Sequence, residues 1–178
     1  MRALWIKIHL YIAAFFSPML LMMAASGGLY LLGIKGTVEK TPVEVMIMQP
    51  IDVKAETLKQ DVDGLLQANG VVHVFEYVKV SGKTLITRPT SEPYYEINIG
   101  ESPAITYVEP DLVKQLVELH KGHGPGIFKN LQKIMAAGLL IVLLSGLWLG
   151  LSSQPLMRQT LGISGAGLVV FVLAGFIL

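Results

Sequence analysis

The chain has 178 residues, 52% of them hydrophobic and only 15% charged, and its mean hydropathy of +0.57 excludes an ordinary soluble domain of this length. With no cysteine, disulfides and thiolate metal sites are excluded, and a bacterial envelope domain that folds without oxidation fits. The net charge of +1 hides a segregation: all 13 carboxylates lie between Glu39 and Glu118, and eight Lys and Arg as far as Lys121 leave that stretch near −5, which argues against nucleic acid as a partner.

In chain order, Arg2 and Lys7 precede a run from Ile8 to Leu32 whose only ionisable side chain other than tyrosine is His9. The run exceeds the roughly 20 apolar residues that a helix needs to cross a bilayer, so residues 1–34 are assigned to an N-terminal segment and a first transmembrane helix. Ala24-Ala25-Ser26 before Gly27 has the form of a leader cleavage site. The apolar run is nevertheless longer than a leader core of roughly 7–15 residues, and retention as an anchor is expected. Pro18 removes one backbone hydrogen bond inside this helix and predicts a kink.

Residues 35–129 form the expected soluble domain. Thr41-Pro42 and Gln49-Pro50 punctuate a stretch from Val43 to Met48 that reads as a linker or a strand. Asp52 is the expected N-cap of a helix carrying Val53, Leu58, Val62, Leu65 and Leu66, closed by Asn69-Gly70. Val71 to Val80 reads as a strand, Ser81-Gly82-Lys83 as a hairpin turn, and Thr84 to Thr87 as the returning strand before Arg88-Pro89. Tyr94 to Ile99 and Ala104 to Val108 form a second hairpin. Asp111 to His120 is a short amphipathic helix with Leu112, Leu116 and Leu119 on one side. Together these describe a small α+β domain, one helix packed on antiparallel hairpins.

Two further apolar runs follow, Ile134 to Leu151 and Leu161 to Leu178. They assign a second transmembrane helix to 130–152, a loop to 153–160 and a third helix to 161–178. Arg2, Lys7 and Arg158 favour a cytoplasmic N-terminus and a cytoplasmic 153–160 loop. Lys35, Lys40, Lys121, Lys129 and Lys133 flank the domain and count the other way. Loops beyond roughly 60 residues translocate largely regardless of charge, so the domain is expected outside.

The order of helix, hairpin and hairpin between membrane helices resembles the bacterial PepSY-associated transmembrane (PepSY-TM) proteins. The first helix carries Ile8-His9-Leu10 and Ser26-Gly27-Gly28-Leu29-Tyr30, similar to that family's "LH…TG-L" pattern with Ser for Thr. Leu119-His120 and Ser145-Gly146-Leu147-Trp148 repeat it, and the two together cover most of residues 8–150. With three helices and one domain, the chain departs from larger members that have four or more helices and often two PepSY segments. The resemblance implies a bacterial inner-membrane protein with a periplasmic PepSY-type domain, in a family where some members bind b-type haem and reduce ferric siderophores.

The histidines are the residues suited to haem, because imidazole ligates iron and there is no thiolate. His9, His120 and His123 are the candidate ligands. His9 lies near the start of the first helix, and at 1.5 Å per residue roughly 30 Å of bilayer separates it from His120 and His123, so one haem cannot bridge them. A bis-histidine site then needs His120 with His123, one histidine from each of two copies, or a partner's histidine. The plainer readings are a headgroup-level ring for His9, a solvated loop for His120 and His123, and a strand position facing solvent or a neighbouring side chain for His73. No cofactor and no metal are the base expectation, since a His-x-x-His pair alone supplies too few ligands.

No Asp or Glu enters an apolar run, which argues against a carrier, and no G-x-S-x-G or H-E-x-x-H appears. Small residues pair at helical spacing: Gly146 with Gly150, Ala24 with Gly28, and Gly162 with Ala166. They mark helix packing, either among these helices, with a second copy or with another membrane subunit. Met19, Met22 and Met23 suit lipid contact or gap filling. Tyr94, Tyr95 and Tyr107 are either an exposed aromatic patch or core. The expected role is a non-catalytic accessory or partner-binding subunit of an envelope or respiratory complex. The alternative is a haem b electron-transfer protein, and a weaker third reading is restraint of a periplasmic protease.

Overall fold

The computed structural model describes residues 2–46 and 50–177, so Ile47 and Met48 of the ambiguous Val43 to Met48 stretch lie outside the described residues, as do Met1, Gln49 and Leu178. The elements run α1 (Arg2–Leu31), β1 (Val38–Val43), α2 (Leu58–Ala68), β2 (Tyr77–Ser81), β3 (Thr84–Arg88), β4 (Tyr94–Asn98), β5 (Ala104–Pro110), α3 (Leu112–His120), α4 (Gly126–Leu151) and α5 (Gln154–Val172). A π-helical stretch, Leu173–Ile177, extends α5. α1, α4 and the extended α5 are long and apolar enough to cross a membrane. The chain divides into two compact units, Met1–Leu20 with Lys133–Leu178, and Leu21–Gln132.

The Leu21–Gln132 unit is built on an antiparallel sheet of strand order β1-β5-β4-β3-β2. Side chains alternate between faces, and the register places Leu85 opposite Ile97 and Ile97 opposite Ile105. These three pack with Val62, Leu65 and Leu66 of α2 and with Phe75 to form the main core. Truncating any of the leucines to alanine removes contacts worth about 2–5 kcal/mol. The opposite face buries Tyr94 and Val108, partners in register. α3 packs on β5 and buries Val117.

Several sequence expectations shift by a turn or a strand. Pro42 lies inside β1 rather than before it; β1 is an edge strand, the kind of strand that tolerates proline. Asp52 does not cap α2. Its Oδ1 accepts from Lys54 N at 2.9 Å and its carbonyl from Ala55 N, so the chain turns before α2 begins at Leu58. The strand expected from Val71 pairs only from Tyr77. β3 ends at Arg88-Pro89, and the last bond, from Glu76 N to Arg88 O, exhausts the partner. Residues 71–75 still alternate, with Val72 and Val74 more than 90% exposed and Phe75 in the core. On α3 the inward residues are Val117 and Glu118, and Leu112 is 69% exposed. The 153–160 loop is absent: α5 starts at Gln154, with Pro155 in a first turn that needs no N–H from it.

Glycines shape both ends of the α1 to β1 connection. At the C-terminus of α1, Gly33 adopts φ +81°, and Gly33 N bonds Tyr30 O while Ile34 N bonds Leu29 O, the paired bonds of a Schellman cap. Gly36, at φ +70°, runs against the start of α3, where an added Cβ would lie 2.2 Å from Lys114 N. Next to it, Asp111 Oδ2 accepts from both Thr37 N and Thr37 Oγ1, while Oδ1 caps Lys114 N at 2.7 Å. One carboxylate therefore starts α3 and holds the connection.

In the unit formed by Met1–Leu20 and Lys133–Leu178, Phe16 seats on Gly138, where a Cβ would approach its ring to 2.5 Å, and Thr160 seats on Gly150. α1 continues through Pro18. Ala14 O, the carbonyl that loses its donor to the proline, accepts from Ser17 Oγ at 3.2 Å instead. An apolar cleft of about 670 Å³ lies between Trp5 and the α4 residues Ile141, Leu144, Leu147 and Trp148.

Gly36→Ala combines a left-handed β-carbon with a clash against backbone, and it should destabilise the domain by about 2–4 kcal/mol. Gly28→Ala, which meets nothing within 4 Å, should change stability by less than about 0.5 kcal/mol. Denaturant unfolding of the two full-length variants in detergent compares them directly.

Candidate functional site

The repeated His and Ser-Gly residues meet crosswise. His9 Nδ1 lies 2.7 Å from Ser145 Oγ, and His120 Nδ1 lies 3.4 Å from Ser26 Oγ. The glycine after each serine provides the seat. A Cβ on Gly146 would approach His9 Cε1 to 3.3 Å, and one on Gly27 would approach His120 Cε1 to 2.8 Å. Each serine also donates to its own helix, Ser145 Oγ to Val142 O at 3.1 Å and Ser26 Oγ to Met23 O at 3.0 Å. A hydroxyl has one proton, so the serine oxygen must accept from the imidazole. In the neutral tautomer that fits this pattern, the proton sits on Nδ1 and Nε2 keeps its lone pair. Sequence reasoning used these serines only as pattern positions; the signal that could have paired them was the repetition itself.

His9 belongs to one compact unit and His73, His120 and His123 to the other, and within the latter each of the three has a different partner. His73 faces neighbouring side chains, with Nε2 3.3 Å from Thr87 Oγ1 and its ring 4.9 Å from that of Tyr95. Burial lowers its pKa, against the pull of Glu92. Tyr95 in turn lies 5.4 Å from Tyr107, so these aromatics form a partly buried ladder, while Tyr94 is buried on the other face. Among the described residues no group of three His, Asp or Glu side chains is placed to hold a metal ion.

His123 belongs instead to a polar cluster centred on Glu118, which is only 4% exposed. Glu118 Oε1 pairs with Lys121 at 2.9 Å and Lys114 at 3.2 Å. Oε2 accepts from Thr90 Oγ1 at 2.9 Å and His123 Nδ1 at 2.5 Å, with Arg88 Nη1 3.9 Å away. Burial by itself would raise the Glu118 carboxyl, yet the hydrogen bonds from Lys121, His123 and Thr90 outweigh it and lower the pKa to about 2. Burial lowers the His123 pKa, helped by the Arg88 and Lys121 cations and opposed by Glu118. An ionised carboxylate accepts only, so neutral His123 must donate from Nδ1. Burial and the Glu96 and Glu118 charges push the Tyr94 hydroxyl up to about 12.

The cluster sits where the domain meets α4. Thr90 N donates to His123 O, Glu76 Oε1 accepts from Gly126 N at 2.6 Å at the helix start, and Gln132 Nε2 donates to Leu119 O at 2.7 Å. Lys129 Nζ lies 4.9 Å over the Tyr77 ring. The spacing of Lys114, Glu118 and Lys121 on one helix was legible in the sequence. Arg88 and Thr90 come from β3 and the loop after it, and nothing local in the sequence connected them to Glu118.

Of the small-residue pairs, Gly146 lies under His9 and Gly150 under Thr160, while Gly28 and Gly162 meet nothing within 4 Å and Ala24 and Ala166 are exposed. Compared with known proteins, the chain matches no family model, no curated protein and no solved structure.

Removing Glu118 leaves Arg88 buried without a counter-charge, so Glu118→Gln should cost about 3–5 kcal/mol. The folded pKa of about 2 lies below the ordinary 4.5. The Glu118 contribution is therefore complete above pH 4.5 and lost as pH falls towards 2. Unfolding free energies measured across that window should fall more steeply for the wild type than for Glu118→Gln.

Proposed function

We propose that this chain is a PepSY-TM-type protein of a bacterial inner membrane, with its N-terminus cytoplasmic and its α+β domain periplasmic, acting as a non-catalytic accessory or partner-binding subunit of an envelope or respiratory complex. The observation that carries the reading is the surface of α5. None of its residues is buried, and Leu161, Ile163, Leu168, Val170 and Phe171 are all more than half exposed. Water does not tolerate such a face on a helix of this length, which suits cover by lipid, by helices of another subunit, or by both. The order of α2 followed by two hairpins supports the PepSY-type assignment.

Membranes should retain the chain after alkaline carbonate extraction, and gentle detergent extraction should bring down a second protein or a second copy. A lone monomer in every gentle detergent would overturn the accessory role.

A second reading, haem b electron transfer, is favoured by the Nε2 lone pairs on His9 and His120. Bound haem would supply a one-electron couple. Each nitrogen suits axial ligation singly, and a two-ligand site would take the same histidine from a second copy or one from a partner. The purified protein should then show a Soret band that His9→Ala or His120→Ala abolishes, and a colourless protein rules this reading out.

A further inference from the structure

We propose that the pocket between β3 and α3 is a binding site for a phosphate-class oxyanion. It encloses about 220 Å³ and is lined by Lys79, Arg88, Lys114 and Lys121 together with Thr90 and Glu118. The segment from Glu39 to Lys121 holds eight Lys and Arg against 13 carboxylates. Half of those cations converge on this one pocket with a single carboxylate, in a domain that is otherwise acidic. A structural ion pair needs one cation for Glu118. Here the lining carries four, and an excess of positive charge remains after Glu118 is counted.

Arg88 supplies the independent sign of a missing acceptor. It is 5% exposed, and a buried guanidinium normally has its fork of donors engaged. Its Nη1 donates to Thr90 Oγ1 at 2.7 Å, and the 3.9 Å to Glu118 Oε2 is too long for a hydrogen bond. Its Nε is buried with no partner. Glu118 is fully occupied by Lys121, Lys114, Thr90 and His123 and cannot serve it. An oxyanion with several acceptor oxygens in the pocket lies beside this under-partnered guanidinium and balances the excess charge, which is the chemistry that arginine and lysine offer to phosphate.

The pocket ends on the residues that lead into α4, since Lys121 and His123 precede its first residue, Gly126, by a few positions. A lipid headgroup phosphate and a free phosphate ion are both within reach of that place, and they present the same oxygens. Glu118 then has a defined part: it gathers Lys114 and Lys121 beside Arg88 and leaves the site cationic.

Lys79 allows a clean test, because it is exposed and makes no ion pair among the described residues. The full-length protein, purified in a maltoside detergent without phosphate, is titrated with inorganic phosphate by calorimetry at constant ionic strength set with chloride. A second titration uses dihexanoyl phosphatidylglycerol below its micellar concentration. Saturable binding of one anion per chain is expected, weakened at least tenfold in Lys79→Glu with an unchanged melting temperature. Tighter binding of the lipid identifies a headgroup site, and tighter binding of inorganic phosphate identifies a soluble ligand. Absence of saturable binding to either anion, or equal binding by Lys79→Glu, overturns the proposal.

Discussion

A carboxylate buried against a small sheet stays ionised only when its surroundings replace the water it has lost. Glu118 meets that requirement with four donors drawn from three places: Lys114 and Lys121 on its own helix, Thr90 after β3, and His123 before α4. Satisfying one group thus fixes the register of α3 on the sheet and the path of the chain into α4. Desolvation penalises such a charge heavily unless it is paired, so these elements are energetically tied and cannot shift independently. The same arrangement crowds cations around Arg88 and leaves its Nε unmatched. The pocket is a consequence of how the domain keeps its buried charge.

The transmembrane-type helices are organised by a different economy. An imidazole seated over glycine and held by serine joins α1 to α4 in one compact unit and α1 to α3 in the other. Glycine permits the close approach, and each serine also bonds back to its own helix, so its oxygen is oriented towards Nδ1 of the ring. In a medium without water each polar group needs a partner within the protein, and Ser17 serves Ala14 O in the same way beside Pro18. These contacts couple packing to orientation: the geometry that brings the helices together also sets the direction of each imidazole ring.

Much of this was legible from residue patterns. Leu58, Val62, Leu65 and Leu66 marked the helix of the core, and Asn69-Gly70 marked its end. Asp111 was placed at the start of the amphipathic helix, and it caps α3. Hairpins around Gly82 and Gly100 were readable because turn residues separate β-rich runs. Pattern misled where a local signal had two uses. Asp52 closes a turn rather than a helix, Pro42 lies inside an edge strand, and the Val71 to Val80 run outlasts the partner strand that could pair with it. Each outcome depended on a neighbour far along the chain.

Hydropathy and charge, being sums over neighbouring residues, were enough by themselves to separate three apolar helices from an acidic α+β segment and to mark histidine as the residue type suited to ligation. Side-chain partnership is not such a sum. That His9 meets Ser145, that His120 meets Ser26, and that Arg88 and Thr90 meet Glu118 across 28 to 136 positions of chain was decided by the tertiary structure alone. Only folding brings distant groups within the few ångströms over which hydrogen bonds and buried charges act.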